Sequence, residues 1–447
     1  MFRFLLVVVL IVGSQQGADG QSFGSSNDPL EQPRSLFRSW STVGAVYGGP
    51  AFVGDNWHGA AAVELEGGAG AWRFALGGTL HGDTNGFLEA ETDETYDLGR
   101  LIHYIRHDAT PTVPIYGRMG PIKRLSLGRG HLVKNFNTTV AWDERTLGAE
   151  IAYGNPFFSI GGFTSDLRMG RVVGGFAELQ PAANSSVRGL NSLVLGAGIV
   201  HDRSTFLADA PTAVQLEAAV DIAEYFEFAV SPFVSYARFL NYGSGFGGGV
   251  DLGTDNLINA ARTNLRLGLF VSQDGFAPGF FGPHYAVAND INRIVTADSF
   301  FDEEEGLELL GTSLADVTSG VDFVTELEVI VFSSFEASAY FRRHWGDQML
   351  SSGAFRIASR PRFLDGLRIE LSMERTGLGS FFSAFGDLKD RNSLLFEIDY
   401  PLSGGAHLSL RSRYGYRKLE SEVNDPVGER FLVQRRFEPL VGVRYRF

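Results

Sequence analysis

The chain has 447 residues, 44% of them hydrophobic and 13% aromatic, with 55 glycines, 37 phenylalanines and no cysteine. That composition excludes a disordered chain, and the missing thiol excludes disulfides, thiolate metal sites, iron–sulfur ligation and a cysteine nucleophile. With 52 acidic against 38 basic residues and a formal charge of −14, nucleic acid is not an expected partner.

Residues 1–20 have the form of a secretory signal peptide. Arg3 is the basic start, Phe4 to Val12 an apolar run too short to span a bilayer, and Ala18-Asp19-Gly20 a small-x-small site before Gln21. Residues 21–38 read as a flexible Ser-, Gly- and Pro-bearing lead. No later stretch is apolar over the roughly 18 residues that a transmembrane helix needs.

From residue 39 to 447 the dominant period is two, the mark of strands with one apolar face. Noisy alternation covers 42–47, 59–65, 72–80, 96–107, 147–153, 157–163, 172–179, 193–200, 228–239, 321–331 and 335–345. It is clean over 214–222, 265–271, 367–374, 394–400, 406–416 and 441–447. In the clean windows the apolar face carries no charge. The charges fall on the other face, at Glu217, Asp221, Arg266, Arg368, Glu370, Glu397, Asp399, Arg411, Arg413, Arg444 and Arg446, with His407 beside them.

Between these windows lie a few chemical patterns. Asp83-Thr84-Asn85-Gly86 has half of a calcium loop and reads as a turn. Gly243 to Gly248 satisfies G-x-G-x-x-G, but no helical pattern follows, so a glycine-rich turn or strand is expected. Walker and HExxH patterns do not occur, and neither a cofactor nor a metal site is expected. Residues 275–319 form the longest stretch without alternation and read as a long loop. It begins apolar, with Phe276, Phe280 and Phe281, and turns acidic at Asp302, Glu303, Glu304 and Glu305. Two placements stand for it: inside as a constriction, or outside with its carboxylates bridged to lipopolysaccharide.

Alternation alone suits a soluble sandwich as well as a barrel. The chain ends on Val441, Val443, Tyr445 and Phe447 at alternate positions, which resembles the C-terminal assembly signal of bacterial outer-membrane β-barrels. Tyr116 to Gly120, Leu125 to Gly130, Tyr242 to Phe246 and Phe276 to Phe280 are also similar to segments of large, functionally unassigned outer-membrane barrels. The resemblance implies an all-β fold, a closed antiparallel transmembrane β-barrel. It also implies a bacterial outer-membrane location, contact with lipid bilayer and lipopolysaccharide, and insertion by the barrel assembly machinery. Lipid allows no open sheet edge, so such a sheet closes, apolar side chains outward. At roughly 20 residues per strand and connection the length gives about 18 strands, within roughly 16 to 20.

A barrel that wide encloses water unless plugged. The expected function is a porin-like channel for passive diffusion of small hydrophilic solutes, with the charged face of the strands lining the lumen. The alternatives are a non-conducting surface anchor or partner-binding barrel of a secretion or motility apparatus, and an enzyme acting on lipid. His407-Leu408-Ser409 reproduces the His-x-Ser spacing of outer-membrane acyl hydrolases, yet both side chains fall on the lumen face. A turn at 401–405 would place Asp399 opposite His407 and Glu397 opposite Ser409, a polar ladder. No catalytic residue is assigned, and an enzyme is not expected. The lumen charges either segregate by sign or pair along the wall. The basic run Arg118, Lys123, Arg124, Arg129 and Lys134 either lines an anion path or sits at the membrane boundary.

Overall fold

Apolar residues facing out and polar or small residues facing in carry the chain through twenty strands that close into one antiparallel barrel. The computed structural model describes residues 30, 40–54, 56–84, 86–88, 97–140, 146–168, 171–187, 189–203, 211–225, 228–257, 261–285, 294–295, 314–332, 334–346, 351–361, 367–378, 392–419 and 430–446. The expected signal peptide, all of the lead except Leu30, Asp302 to Glu305 and Phe447 lie outside the described residues.

The wall opens with β1 (Trp40–Val53), β2 (Asn56–Ala69) and β3 (Trp72–Asp83). Shorter strands follow: β4 (Ile102–His107), β5 (Ile115–Gly120), β6 (Gly148–Gly154), β7 (Phe158–Thr164) and β8 (Val172–Leu179). Next come β9 (Val194–Asp202), β10 (Thr212–Ala219), β11 (Phe228–Phe239), β12 (Ser244–Leu257) and β13 (Ala261–Ser272). The circuit ends with β14 (Gly320–Val331), β15 (Phe335–Trp345), β16 (Ser352–Ser359), β17 (Arg368–Thr376), β18 (Asn392–Pro401), β19 (Ala406–Leu419) and β20 (Arg430–Arg446). β20 pairs back onto β1, from Val43 opposite Arg446 to Val53 opposite Arg436. Short pieces decorate the wall: Gly86–Phe87 on β3, Ala223–Tyr225 on β11 and Ile294–Val295 parallel to β20.

Twenty strands is the top of the expected range, and β5, β12 and β16 fall outside every window of alternation. In β12 the reason is packing. A Cβ at Gly247 would lie 2.1 Å from the Phe270 ring, and one at Gly249 2.9 Å from Phe233, so glycines make room for aromatics of the neighbouring strands. The G-x-G-x-x-G sequence is thus the start of a strand. Around residue 96 the expected strand starts later, since Asp97–Arg100 is a helical turn.

The hairpin between β18 and β19 also differs from expectation. Pro401 pairs with His407, Asp399 with Ser409 and Glu397 with Arg411. The turn closes over Leu402–Gly405, with Gly404 and Gly405 at φ 67° and 82°, which lets the ladder run on through Pro401. The register moves by two residues, so each side chain keeps its face.

Leu216, Leu269 and Val441 are 56%, 54% and 57% exposed on the outside, whereas their neighbours Glu217, Phe270 and Leu440 are buried inside. Tyr416 departs from its outward assignment. It is buried beside the His284 ring, 5.9 Å away, and its N–H donates to the Val140 carbonyl. Exposed aromatics gather at two levels of the outer wall: Trp72, Phe158, Phe228, Phe335, Tyr400 and Tyr445 near one rim, Trp57, Tyr236, Phe246 and Trp345 near the other. From Phe228 to Tyr236 on β11, or Phe335 to Trp345 on β15, a tilted strand rises roughly 20–25 Å.

Candidate functional site

The interior is divided into a filled half and an open half. After β5 the chain turns inward and makes a plug over residues 121–140. Leu125 and Phe136 exchange backbone hydrogen bonds at 3.0 and 2.8 Å, Leu127 N–H donates to the Val133 carbonyl and Thr138 N–H to that of Ile122. Gly128 sits at φ 52°, where a Cβ would meet Glu217 Oε2 at 2.5 Å, so both conformation and space require glycine.

Residues 275–285, the apolar start of the long loop, enter the same space. Gly279 N–H donates to the His131 carbonyl at 2.8 Å, Phe281 N–H to Leu132 and Lys134 N–H to Phe281, so the two loops form a short parallel pairing inside the barrel. Phe136, Phe239, Phe276, Phe281, Leu132 and Val133 build a dry cluster between the loops and the inner face of the wall, and Leu314 and Val317 join it. The first part of 275–319 is therefore inside.

The basic run lies inside too: Arg118, Arg124, Arg129 and Lys134 are paired with carboxylates of the wall, and Lys123 faces the cavity described below. Arg129 Nη1 is 3.0 Å from Glu217 Oε1, and its Nε is 3.2 Å from Asp251 Oδ2. Arg266 bridges Asp251 at 2.6 Å and Glu326 at 3.2 Å, and Lys134 Nζ reaches Glu326 at 2.6 Å. Arg124 binds Glu336 at 2.7 Å, and Arg118 lies 3.5 Å from Glu150. The series continues through Arg356 with Glu336 and Glu370, Arg368 with Glu370 and Glu397, Arg413 with Glu397 and Arg411 with Glu64. Signs alternate around the wall instead of segregating, which lets each buried ion sit beside its opposite.

Two plug histidines are held neutral. Burial, helped by the Arg342 guanidinium, pushes the His131 imidazole down to about 3, and burial pushes His284 down to about 4. Burial lowers Lys134 as well, opposed by Glu326.

What the plug leaves is a cavity of about 950 Å³ against β17 to β20, β2 and β3. Among the described residues, Arg100, Lys123, Arg368, Arg411, Arg413 and Arg436 line it with Glu64, Glu374 and Glu397, so cations outnumber acids there in a chain of charge −14. At one end of the barrel the Leu30 carbonyl accepts from Arg360 Nη1 at 2.8 Å.

Of the residues singled out by sequence, Arg368, Glu397, Arg411 and Arg413 meet at this cavity, and Glu370 stands beside them through Arg368. Glu217 and Arg266 face the plug. Asp399 and Arg444 pair at 3.7 Å, with Arg444 also donating to the Tyr47 hydroxyl. Asp221 lies just past the end of β10 and accepts from the Ser231 hydroxyl. His407 and Ser409 are buried, and Ser409 Oγ accepts from Arg411 Nε at 3.2 Å. Val441, Val443 and Tyr445 face outward. The Arg446 side chain lies outside the described residues. Asp251 and Arg356 escaped sequence reasoning because β12 and β16 did. Glu64 and Glu326 stand in noisy windows, at inward positions of their alternation.

No family model matches the chain, and no curated protein matches it. Among solved structures it is similar to Pseudomonas aeruginosa OpdL, at 11% identity and a TM-score of 0.34 over 91% of this chain and 98% of that one. It is similar to the outer membrane protein opdK of Pseudomonas aeruginosa, at 10% and 0.31 over 91% and 99%. Acinetobacter baumannii OccAB2 gives 10% and 0.32 over 91% and 98%. The barrel described above rests on its own strand pairing.

Proposed function

We propose that the protein is a channel of the bacterial outer membrane that passes small hydrophilic solutes by passive diffusion. The open half of the interior carries this reading: a charge-lined cavity of about 950 Å³ inside a closed wall. The outer-membrane reading is supported by the exposed apolar face, by its two aromatic levels and by Val441, Val443 and Tyr445 on the lipid-facing side of the last strand. Lipid and lipopolysaccharide are then the surroundings of the wall, and the barrel assembly machinery its route of insertion. Against a role in acyl transfer, the described hydrogen-bond partner of the Ser409 hydroxyl is the Arg411 guanidinium, which stays protonated and cannot take its proton as a base.

Reconstitution into a planar bilayer tests the proposal. Discrete ohmic current steps in KCl are expected. A membrane-inserted protein that stays silent at every voltage would overturn the channel reading in favour of an anchor.

A further inference from the structure

The cavity wall on β17 to β20 is a grid whose rungs follow from the strand pairing. On one rung Ser372 stands opposite Leu395, Leu395 opposite Arg413 and Arg413 opposite Arg436. On the next rung Glu397 stands opposite Arg411 and Arg411 opposite Glu438, so the signs alternate. The Arg413–Arg436 pair departs from that alternation. Like charges directly opposite each other destabilise a strand pair, and the Glu397 carboxylate is divided between Arg413 and Arg368. Arg436 Nε donates to a neutral acceptor, Gln434 Oε1, at 2.9 Å. Among the described residues, six cations and three acids give the cavity lining a surplus of three positive charges, and four of the cations stand on these strands.

The other corner of the grid has different chemistry. Glu374 stands opposite Ser393 and accepts from Asn137 Nδ2 at 3.4 Å, with Thr139 and Ser372 lining the same space. From there a recess of about 60 Å³, room for about four or five hydroxyl-sized groups, leads on between plug and wall toward Asn135 and Ser338. At about 4.8 Å per strand and 3.3 Å per residue, the backbones of Arg413 and Glu374 lie about 12 Å apart. One end of this surface suits more than a single negative charge. The other exchanges hydrogen bonds with hydroxyls, since a carboxylate accepts them and serine or asparagine both gives and accepts. We propose that the cavity binds sugar phosphates, with the phosphate on Arg411, Arg413 and Arg436 and the hydroxyls on Ser372, Ser393, Asn137 and Glu374. A phosphate monoester brings nearly two charges at neutral pH and three terminal oxygens, so it serves several guanidinium groups at once. The inference rests on the channel reading and names a solute class for it.

Single-channel current in KCl at about pH 7.5 tests it, with glucose 6-phosphate, inorganic phosphate, gluconate and sorbitol added in turn. Glucose 6-phosphate should interrupt the current at roughly tenfold lower concentration than inorganic phosphate, which lacks the hydroxylated chain, or gluconate, which lacks the second charge. Sorbitol should leave the current unchanged. Arg436→Gln should weaken the block by glucose 6-phosphate and by inorganic phosphate roughly tenfold. Ser372→Val together with Ser393→Val should bring glucose 6-phosphate down to the level of inorganic phosphate and leave the inorganic phosphate block as it was. Each set tests the site by itself, and KCl conductance shows that the variant barrel is intact. Equal block by glucose 6-phosphate and inorganic phosphate in the native protein, gluconate block as strong as that by glucose 6-phosphate, or glucose 6-phosphate block unchanged in both variants would overturn the sugar-phosphate site and leave the channel standing. An absence of KCl conductance in the native protein would overturn both.

Discussion

His131 shows how much one side chain can hold. Its Nδ1 lies 2.9 Å from Ser235 Oγ, its ring packs on Phe270 and Phe276, and Arg342 adds positive charge nearby. The docked plug keeps it neutral down to about pH 3, whereas a released plug would expose an imidazole of ordinary affinity near 6.5. Below about pH 6.5 the released form therefore binds more protons, and docking weakens progressively as pH falls toward 3. His284, lowered to about 4, adds in the same direction. Channel conductance should rise over that acid range, and His131→Gln should make the rise shallower. An unchanged pH profile in the variant would show that the plug is not held this way. None of this was legible in the sequence. His131 stands in a run of small and basic residues, and its burial depends on a second loop far along the chain.

At the level of elements, the alternation was a good guide wherever a strand had large side chains on both faces. It weakened where glycines accommodate neighbouring aromatics, as in β12, because the inward pattern is then shared between two strands and neither carries it alone. It was silent about the plug, whose residues 121–140 have no period but nonetheless bury a dry cluster. The faces themselves can be tested on β17, where Leu371 stands opposite Ile357 and Phe396 and Ser372 lines the cavity. A charge on the lipid side at mid-membrane costs roughly 2–4 kcal/mol. Leu371→Arg should therefore lower the temperature at which the folded band disappears in a heat-shift gel. Ser372→Arg should leave that temperature nearly unchanged and reduce conductance. Equal destabilisation by both would mean that the two faces are not the lipid and water sides.

For the molecule as a whole, selectivity should follow the passage and not the total charge. Among the described residues, six cationic side chains against three acids around the open half favour anions, even though the chain carries −14. Reversal potentials in a KCl gradient should show anion preference that fades as the Debye length shrinks from about 10 Å at 0.1 M to about 3 Å at 1 M salt. Lys123→Ser should weaken it. Asp302 to Glu305, proposed from sequence as a constriction, would act with the opposite sign. Replacing them by Ser and Asn should increase anion preference if they face the passage and leave the reversal potential unchanged if they lie outside. Fold class and wall polarity were readable from a repeating local rule. The position of the passage was not, since it is set by which side of the barrel two distant loops choose to fill.

The pairing of those loops also orders events in time. Lys134 meets Glu326 across 192 residues of chain, and Val133 pairs with Phe281 although the eight strands β6 to β13 lie between them in sequence. Contacts of such long range are costly to form before the intervening chain is arranged. The plug thus cannot complete its docking until β14 is in place, and a wide-bore stage with the plug only partly docked is expected on the way to the native barrel. Refolding into detergent micelles should accordingly show protection of wall amides first and of residues 121–140 as a separate, later phase, leaving each newly made molecule briefly leakier than it will ever be again.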